Sequence, residues 1–200
     1  MYALELGKGL NKMEFYFYRH GKTKGNAQKR YVGRTDESIT KEAEEELRLL
    51  KAPLVEAVFS SPLKRCRQTC GILFPDMEPE FIDGLMETDF GDFEYKNHEE
   101  LKNSRQYINW LKSGGKGGFP SGESFEGFKS RCMEAFYFIT GKMEEAGIKS
   151  AAVVTHGGVI MAVLSQLSQK DFYDFHIDNG GCIYGRFNKY KNIFEDIRIL

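Results

Sequence analysis

Two apolar runs limit most sharply what this chain can fold into. The first, EFYFY at 14–18, ends abruptly in Arg19, His20 and Gly21. The second, within KSAAVVTHGG at 149–158, ends in His156, Gly157 and Gly158. A strand that is apolar on both faces must be covered on both faces, which is the habit of parallel sheets. Each run is therefore a buried mount, and the polar triplet is what it presents at its tip.

The segments between these runs alternate. TKEAEEELRLL at 40–50 reads as a helix, with Thr40 as N-cap, acids in the first turn and Ala43, Leu47 and Leu50 as the inward stripe. EAVFSS at 56–61 reads as a short strand. Ser61 then caps a helix with Pro62 at its first position and Leu63, Cys66, Cys70 and Leu73 inward. EPEFID at 78–83 is a weaker strand. The longest helix spans about 123–145; Phe125, Phe128, Cys132, Phe136, Ile139 and Met143 form a stripe that reads as core, not ligand surface. An apolar helix follows at 159–167, and CIYGRFN and NIFEDIRIL close the chain as a hairpin at the sheet edge.

This alternation predicts an α/β fold: a mostly parallel central sheet flanked by helices, with an antiparallel edge strand. Residues 92–121, which carry His98, Tyr107, Trp110 and the run GGKGGFPSG, read as a partly helical insertion over the site. Residues 1–12 read as an N-terminal extension and 13–200 as a single domain.

Composition removes several classes of function. A net charge of −1 gives no basic surface for nucleic acid or anionic membrane. No apolar run approaches the roughly 20 residues that span a bilayer, and the N-terminus lacks a signal-peptide core, so a cytoplasmic protein is expected. The four cysteines fit no zinc spacing and read as reduced, buried thiols.

Functional groups of parallel α/β sheets gather beyond the carboxyl ends of the strands. Here those ends carry Arg19, His20, Arg65 and His156, and the loop LMETDFGDF adds Glu87 and Asp89. Two guanidiniums can grip a phosphoryl group and stay charged at any working pH. Glycines allow close approach of backbone N–H groups. An imidazole among cations tends to be neutral, and neutral imidazole is a nucleophile. A nearby carboxyl can protonate a departing alkoxide.

Five segments, in order, resemble the histidine phosphatase superfamily, the branch that includes cofactor-dependent phosphoglycerate mutase. They are RHGKTKGNAQKRYVGRTDESIT at 19–40, SSPLKRCRQT at 60–69, METDFGDFE at 86–94, GES at 122–124 and VVTHGGVI at 153–160. The resemblance implies a phosphoglycerate-mutase-like fold. It implies that His20 is the nucleophile that becomes phosphohistidine, that Arg19, Arg65 and His156 hold the phosphoryl oxygens with Asn26 assisting, and that Glu87 is the proton donor. It also implies that no metal or other cofactor is needed. Lys64 and Arg67 read as surface cations, Asp36 as a turn or cap residue, and His98 and His176 as exposed or structural.

Three departures from the family pattern stand out. Phe93-Glu94-Tyr95 replaces a Trp-Glu-Gly sequence, which predicts a changed turn into the insertion. Val32 replaces a residue able to bond phosphate or substrate. Met161 replaces a cation. The insertion also lacks the arginine pair by which phosphoglycerate mutases grip a second acidic group. Hydrolysis of a small-molecule phosphomonoester by a monomer or homodimer is therefore expected. The pattern most resembles bacterial α-ribazole phosphatases and broad-specificity phosphatases, with phosphoglycerate mutase as the alternative enzyme and a catalytically silent phosphate-binding module as the non-enzymatic one. Phe93, Tyr107 and Trp110 either stack on substrate or form the insertion's own small core.

Overall fold

A computed structural model of the chain describes residues 12–200. Residues 1–11 of the expected extension lie outside the described residues. Lys12 does not belong with them: it opens the first strand and pairs with Glu195 at 3.1 Å.

The described residues form a sheet in the order β3-β2-β4-β1-β5-β6. β1 (Lys12–Arg19), β2 (Ala57–Ser60), β3 (Glu80–Phe81) and β4 (Ser150–Thr155) run parallel, whereas β5 (Cys182–Asn188) and β6 (Ile193–Ile199) are antiparallel. The expected mixed α/β architecture is present, with the closing hairpin at one edge. β3 is shorter than expected because it borders only β2.

Each face of the sheet is covered, as the double-sided apolar runs require. Phe15 and Phe17 point into a core built with α6 (Phe125–Ala146) and α7 (Gly157–Gln166). Tyr18 and Val154 point the other way, against α2 (Lys41–Arg48) and α3 (Lys64–Leu73). Phe15 is fully buried, and its ring centroid lies 5.2 Å from that of Phe136. Truncating such a side chain typically costs about 3–5 kcal/mol, so the mount beneath the strand tip is stiff. All four cysteines are buried and free.

Local readings differ from the structure at a few points. Thr40 does cap α2, but Leu50 lies beyond it and is half exposed. Ser61 does not cap α3. That helix starts at Lys64, and its end is served by Asp36, whose Oδ1 accepts from the Lys64 amide at 2.6 Å. Asp36 is thus a cap, reached across the fold. The stripe on α6 is core from Phe128 to Met143, but Phe125 is only half-buried and faces a cavity.

The insertion holds α4 (His98–Leu101) and α5 (Arg105–Lys112) around a small core of Phe93, Leu101 and Tyr107. At the position of the missing glycine stands Tyr95. Tyr95 adopts φ 57°, a left-handed conformation that costs a non-glycine residue about 1–2 kcal/mol. Its hydroxyl donates to Glu37 at 3.1 Å, and Arg30 lies 5.2 Å over its ring. Among the described residues no helix is long and apolar enough to cross a membrane.

Candidate active site

Strand register brings the polar tips level. Arg19 sits opposite Thr155 and Ser60 opposite Val154. The His20 amide then donates to Thr155 O, and the Ser61 amide to Val154 O, each at 3.0 Å. Three chain segments therefore leave the sheet at one height, carrying His20, Ser61 and His156.

His20 is 3% exposed. Its Nδ1 lies 2.8 Å from Gly21 O. A carbonyl only accepts, so Nδ1 carries the proton and Nε2 holds the lone pair. Nε2 has no partner among the described residues. Burial first, then the charge of Arg65, holds the imidazole well below its ordinary pKa and keeps it neutral. Asn179, which the sequence reading missed, steadies the segment: its amide donates to His20 O at 3.2 Å and to Asn26 Oδ1 at 3.1 Å. Asn26 also accepts from the Thr23 amide at 3.2 Å and belongs to α1 (Lys24–Ala27), next to the segment that carries His20.

Arg65 is fully buried at the start of α3. Its guanidinium donates to Thr35 O and Gly33 O at 2.8 Å, and to Val32 O at 3.4 Å. Val32 thus contributes its carbonyl, where its side chain has nothing to offer. No carboxylate pairs with Arg65 among the described residues. A buried cation held only by neutral acceptors remains available to an anion. Lys64 and Arg67 are exposed, as expected.

His156 is also fully buried, and its ring centroid is 5.1 Å from that of His20. Arg65 Nε donates to its Nδ1 at 3.3 Å. Nε2 then carries the proton and donates to Ser61 Oγ at 2.9 Å. Both ring nitrogens are thus occupied, and as placed His156 orients Arg65. Burial and Arg65 again push its pKa well down. Ser61 bonds His156 instead of capping a helix, and its place within the motif SSPLKRCRQT is the sequence signal for that role.

Arg19 donates to Ile177 O at 2.6 Å, and its Nε is buried without a partner among the described residues. Glu87 Oε2 accepts from the Gly158 amide at 3.2 Å. A Cβ on Gly158 would lie 2.4 Å from Glu87 Oε1, so glycine is what lets the carboxylate settle there. Asp89, the other acid of this loop, instead accepts from the Gly91 amide at 2.9 Å.

Arg19 and Glu87 form the floor of a cavity of about 210 Å³. Its walls are aromatic: Tyr31, Phe90, Trp110 and Phe119 from the motif loop and insertion, Phe125 and Phe128 from α6, and Phe172 and Tyr173 from the turn before β5. Phe93 and Tyr107 are buried in the insertion's core, whereas Trp110 reaches the cavity. His176 is exposed, as expected, and also lines the cavity; the aromatic run DFYDFH at 171–176 is the sequence signal for that wall. His98 bonds Tyr107 at 3.2 Å, away from the cavity.

Two buried imidazoles, one buried guanidinium and one half-buried guanidinium thus gather at one end of an α/β sheet. Residues 15–199 match the family profile of the histidine phosphatase superfamily, branch 1. A broad-specificity phosphatase of Saccharomyces cerevisiae is 28% identical over 173 residues, covering 80% of this chain and 73% of that protein. The crystal structure of a protein assigned as an α-ribazole-5′-P phosphatase from Escherichia coli is similar with a TM-score of 0.81 at 25% identity, over 94% of this chain and 95% of that one. A phosphoglycerate mutase from Thermus thermophilus is similar with a TM-score of 0.70 at 31% identity, over 94% and 99%. The chain belongs to the histidine phosphatase superfamily, as an enzyme of the phosphatase or mutase type.

Proposed function

We propose that this enzyme hydrolyses a small phosphomonoester whose alcohol portion is largely apolar and aromatic, through a phosphohistidine on His20. The observation that carries the reading is the cavity itself. Its cationic floor adjoins a neutral imidazole, and most of the side chains above that floor are aromatic.

His20 Nε2 attacks phosphorus as the P–O bond to the alcohol breaks. Glu87 gives its proton to the departing oxygen. Glu87, now a carboxylate, takes a proton from water, and the hydroxide displaces His20 from phosphorus. The electron pair returns to Nε2, and inorganic phosphate leaves. Arg19 and Arg65 hold the phosphoryl oxygens, with Asn26 close by. A bound dianion also favours the imidazolium form of His156, whose Nδ1–H then donates to the same group once Arg65 turns its Nε–H to the phosphate. The guanidiniums supply the positive charge of this scheme, so no metal or other cofactor takes part.

The wall favours hydrolysis over mutase action. Above the floor, the described lining side chain able to bear positive charge is His176. A phosphoglycerate needs cations for its carboxylate and for a second phosphate. The likeness to a phosphoglycerate mutase supports the second reading. α-Ribazole 5′-phosphate, with an aromatic ring, fits the first, as does a broad range of aryl phosphates.

A panel assay separates them. Wild type and His20→Ala are incubated, with chelator, with p-nitrophenyl phosphate, α-ribazole phosphate, sugar phosphates, phosphoserine and 3-phosphoglycerate. The last is tested with and without 2,3-bisphosphoglycerate. The proposal predicts phosphate release, fastest from ring-bearing esters and lost in His20→Ala. Isomerisation of 3-phosphoglycerate without net release would overturn it in favour of the mutase.

A further inference from the structure

The loop that carries Glu87 is fastened from behind by a charged fork. Arg131, on α6, donates from Nε to Glu123 Oε1 and from Nη2 to Glu123 Oε2, each at 2.8 Å. Its Nη1 donates to Gly84 O and Met86 O at 2.9 Å, and Nη2 reaches Glu87 O at 3.5 Å. Glu123 Oε2 in turn accepts from Thr88 Oγ1 and from the Asp89 amide, both at 3.3 Å. The backbone before, at and after Glu87 is therefore bonded to one ion pair.

The pair is well placed to be rigid. Its side chains are 22% and 16% exposed. Burial opposes both charges, but the fork overrides it, holding the Glu123 carboxyl below and the Arg131 guanidinium above their ordinary ranges. A bidentate guanidinium–carboxylate fixes two planes as well as a distance. A pair needed only to attach α6 to the sheet would bond to the sheet. This one directs its donors to the carbonyls of a single loop, and that loop ends in the side chain over Gly158.

We infer that the Arg131–Glu123 pair is the positioning device for the acid: it holds Glu87 at the bond that breaks and so sets how well the enzyme expels poor leaving groups. This rests on the reading of Glu87 as proton donor. An acid displaced by a fraction of an ångström still leaves p-nitrophenolate free to depart unaided. An alkoxide cannot depart without its proton.

The test compares kcat/KM for p-nitrophenyl phosphate and benzyl phosphate, because kcat/KM reports the steps up to departure of the alcohol. The variants are Arg131→Ala, Arg131→Lys, Glu123→Gln and, as reference, Glu87→Gln. Arg131→Lys keeps a cation for folding but cannot form the fork. Each clamp variant is expected to lose about tenfold or more on benzyl phosphate and less than about threefold on p-nitrophenyl phosphate, within the 10²–10⁴ that general acid catalysis supplies. Glu87→Gln should show the same selectivity, more strongly. Equal losses on both substrates, or none, in folded clamp variants would overturn the inference while a selective Glu87→Gln leaves the acid assignment standing. An unselective Glu87→Gln would overturn that assignment and the inference with it.

Discussion

The floor and the wall of the cavity are built on different principles. The floor, Arg19 and Glu87, rests on a buried cluster at the strand ends: His20, Arg65 and His156 are fixed by backbone carbonyls and one another beside a sheet covered on both faces. The wall is assembled from a motif loop, an insertion, a helix end and a turn, and it offers aromatic surface with few polar atoms. A site that must place charges at a reacting phosphorus needs stiffness, whereas one that selects an apolar group needs only shape and surface. The floor should therefore govern rate, and the wall should govern which ester is taken.

The largest expected effect tests the floor. Arg65→Lys keeps the charge but loses the planar set of donors to the carbonyls of Val32, Gly33 and Thr35 and to His156. It should lower kcat about 10²–10³-fold on every substrate, as loss of one oriented transition-state donor does. Steady-state kinetics on an aryl and a sugar phosphate check this; a loss confined to one substrate would break the division between floor and wall.

Gly158→Ala probes the junction. The new Cβ cannot coexist with Glu87 Oε1 at 2.4 Å, so the acid must move. A decline of about 10²-fold on alkyl phosphates, with a smaller one on p-nitrophenyl phosphate, is expected from the size of acid catalysis.

Acid should weaken the floor as a piece of structure. His20 and His156 are neutral when folded because their pKa values are lowered well below the ordinary 6.5, whereas the unfolded chain binds protons there normally. The unfolded state thus holds more protons below pH 6.5, and stability falls as pH drops through that range. These two groups account for at most about 2 kcal/mol between pH 6.5 and 5.5. Urea unfolding at the two pH values measures it, and His156→Gln should reduce the slope by about half.

The smallest effect belongs to the wall. Trp110→Ala removes aromatic surface but no charge. It should raise KM for aryl phosphates about fivefold to tenfold and leave small sugar phosphates nearly unchanged, from about 1 kcal/mol of stacking. A matching loss for both would show that the wall supports the floor instead of selecting the ester.

The same contrast explains what could be read in the sequence. Arg19-His20-Gly21 and His156-Gly157-Gly158 are conspicuous because polar triplets end apolar strands, and the sheet that brings them together follows from those strands. The wall hides its purpose, since an aromatic on a helix looks alike whether protein or ligand covers it. Tyr107 and Trp110 lie one turn apart on α5, yet the first is core and the second faces the cavity. Phe125 continues the spacing of a core stripe after the core has ended. Asp36 caps as its turn-or-cap reading expects, but it serves a helix start 28 positions away, which no local pattern reveals, and Ser61, the local candidate, bonds His156 instead.

The central claim is that phosphate passes through His20. Wild type and His20→Asn are mixed with p-nitrophenyl phosphate, quenched in alkali within milliseconds, and weighed intact by mass spectrometry. The account predicts a transient gain of one phosphoryl group in wild type, stable to alkali and lost in acid, mapped to the peptide containing His20, and no gain in His20→Asn. A phosphoryl group on another residue, or turnover that survives in His20→Asn, would contradict it.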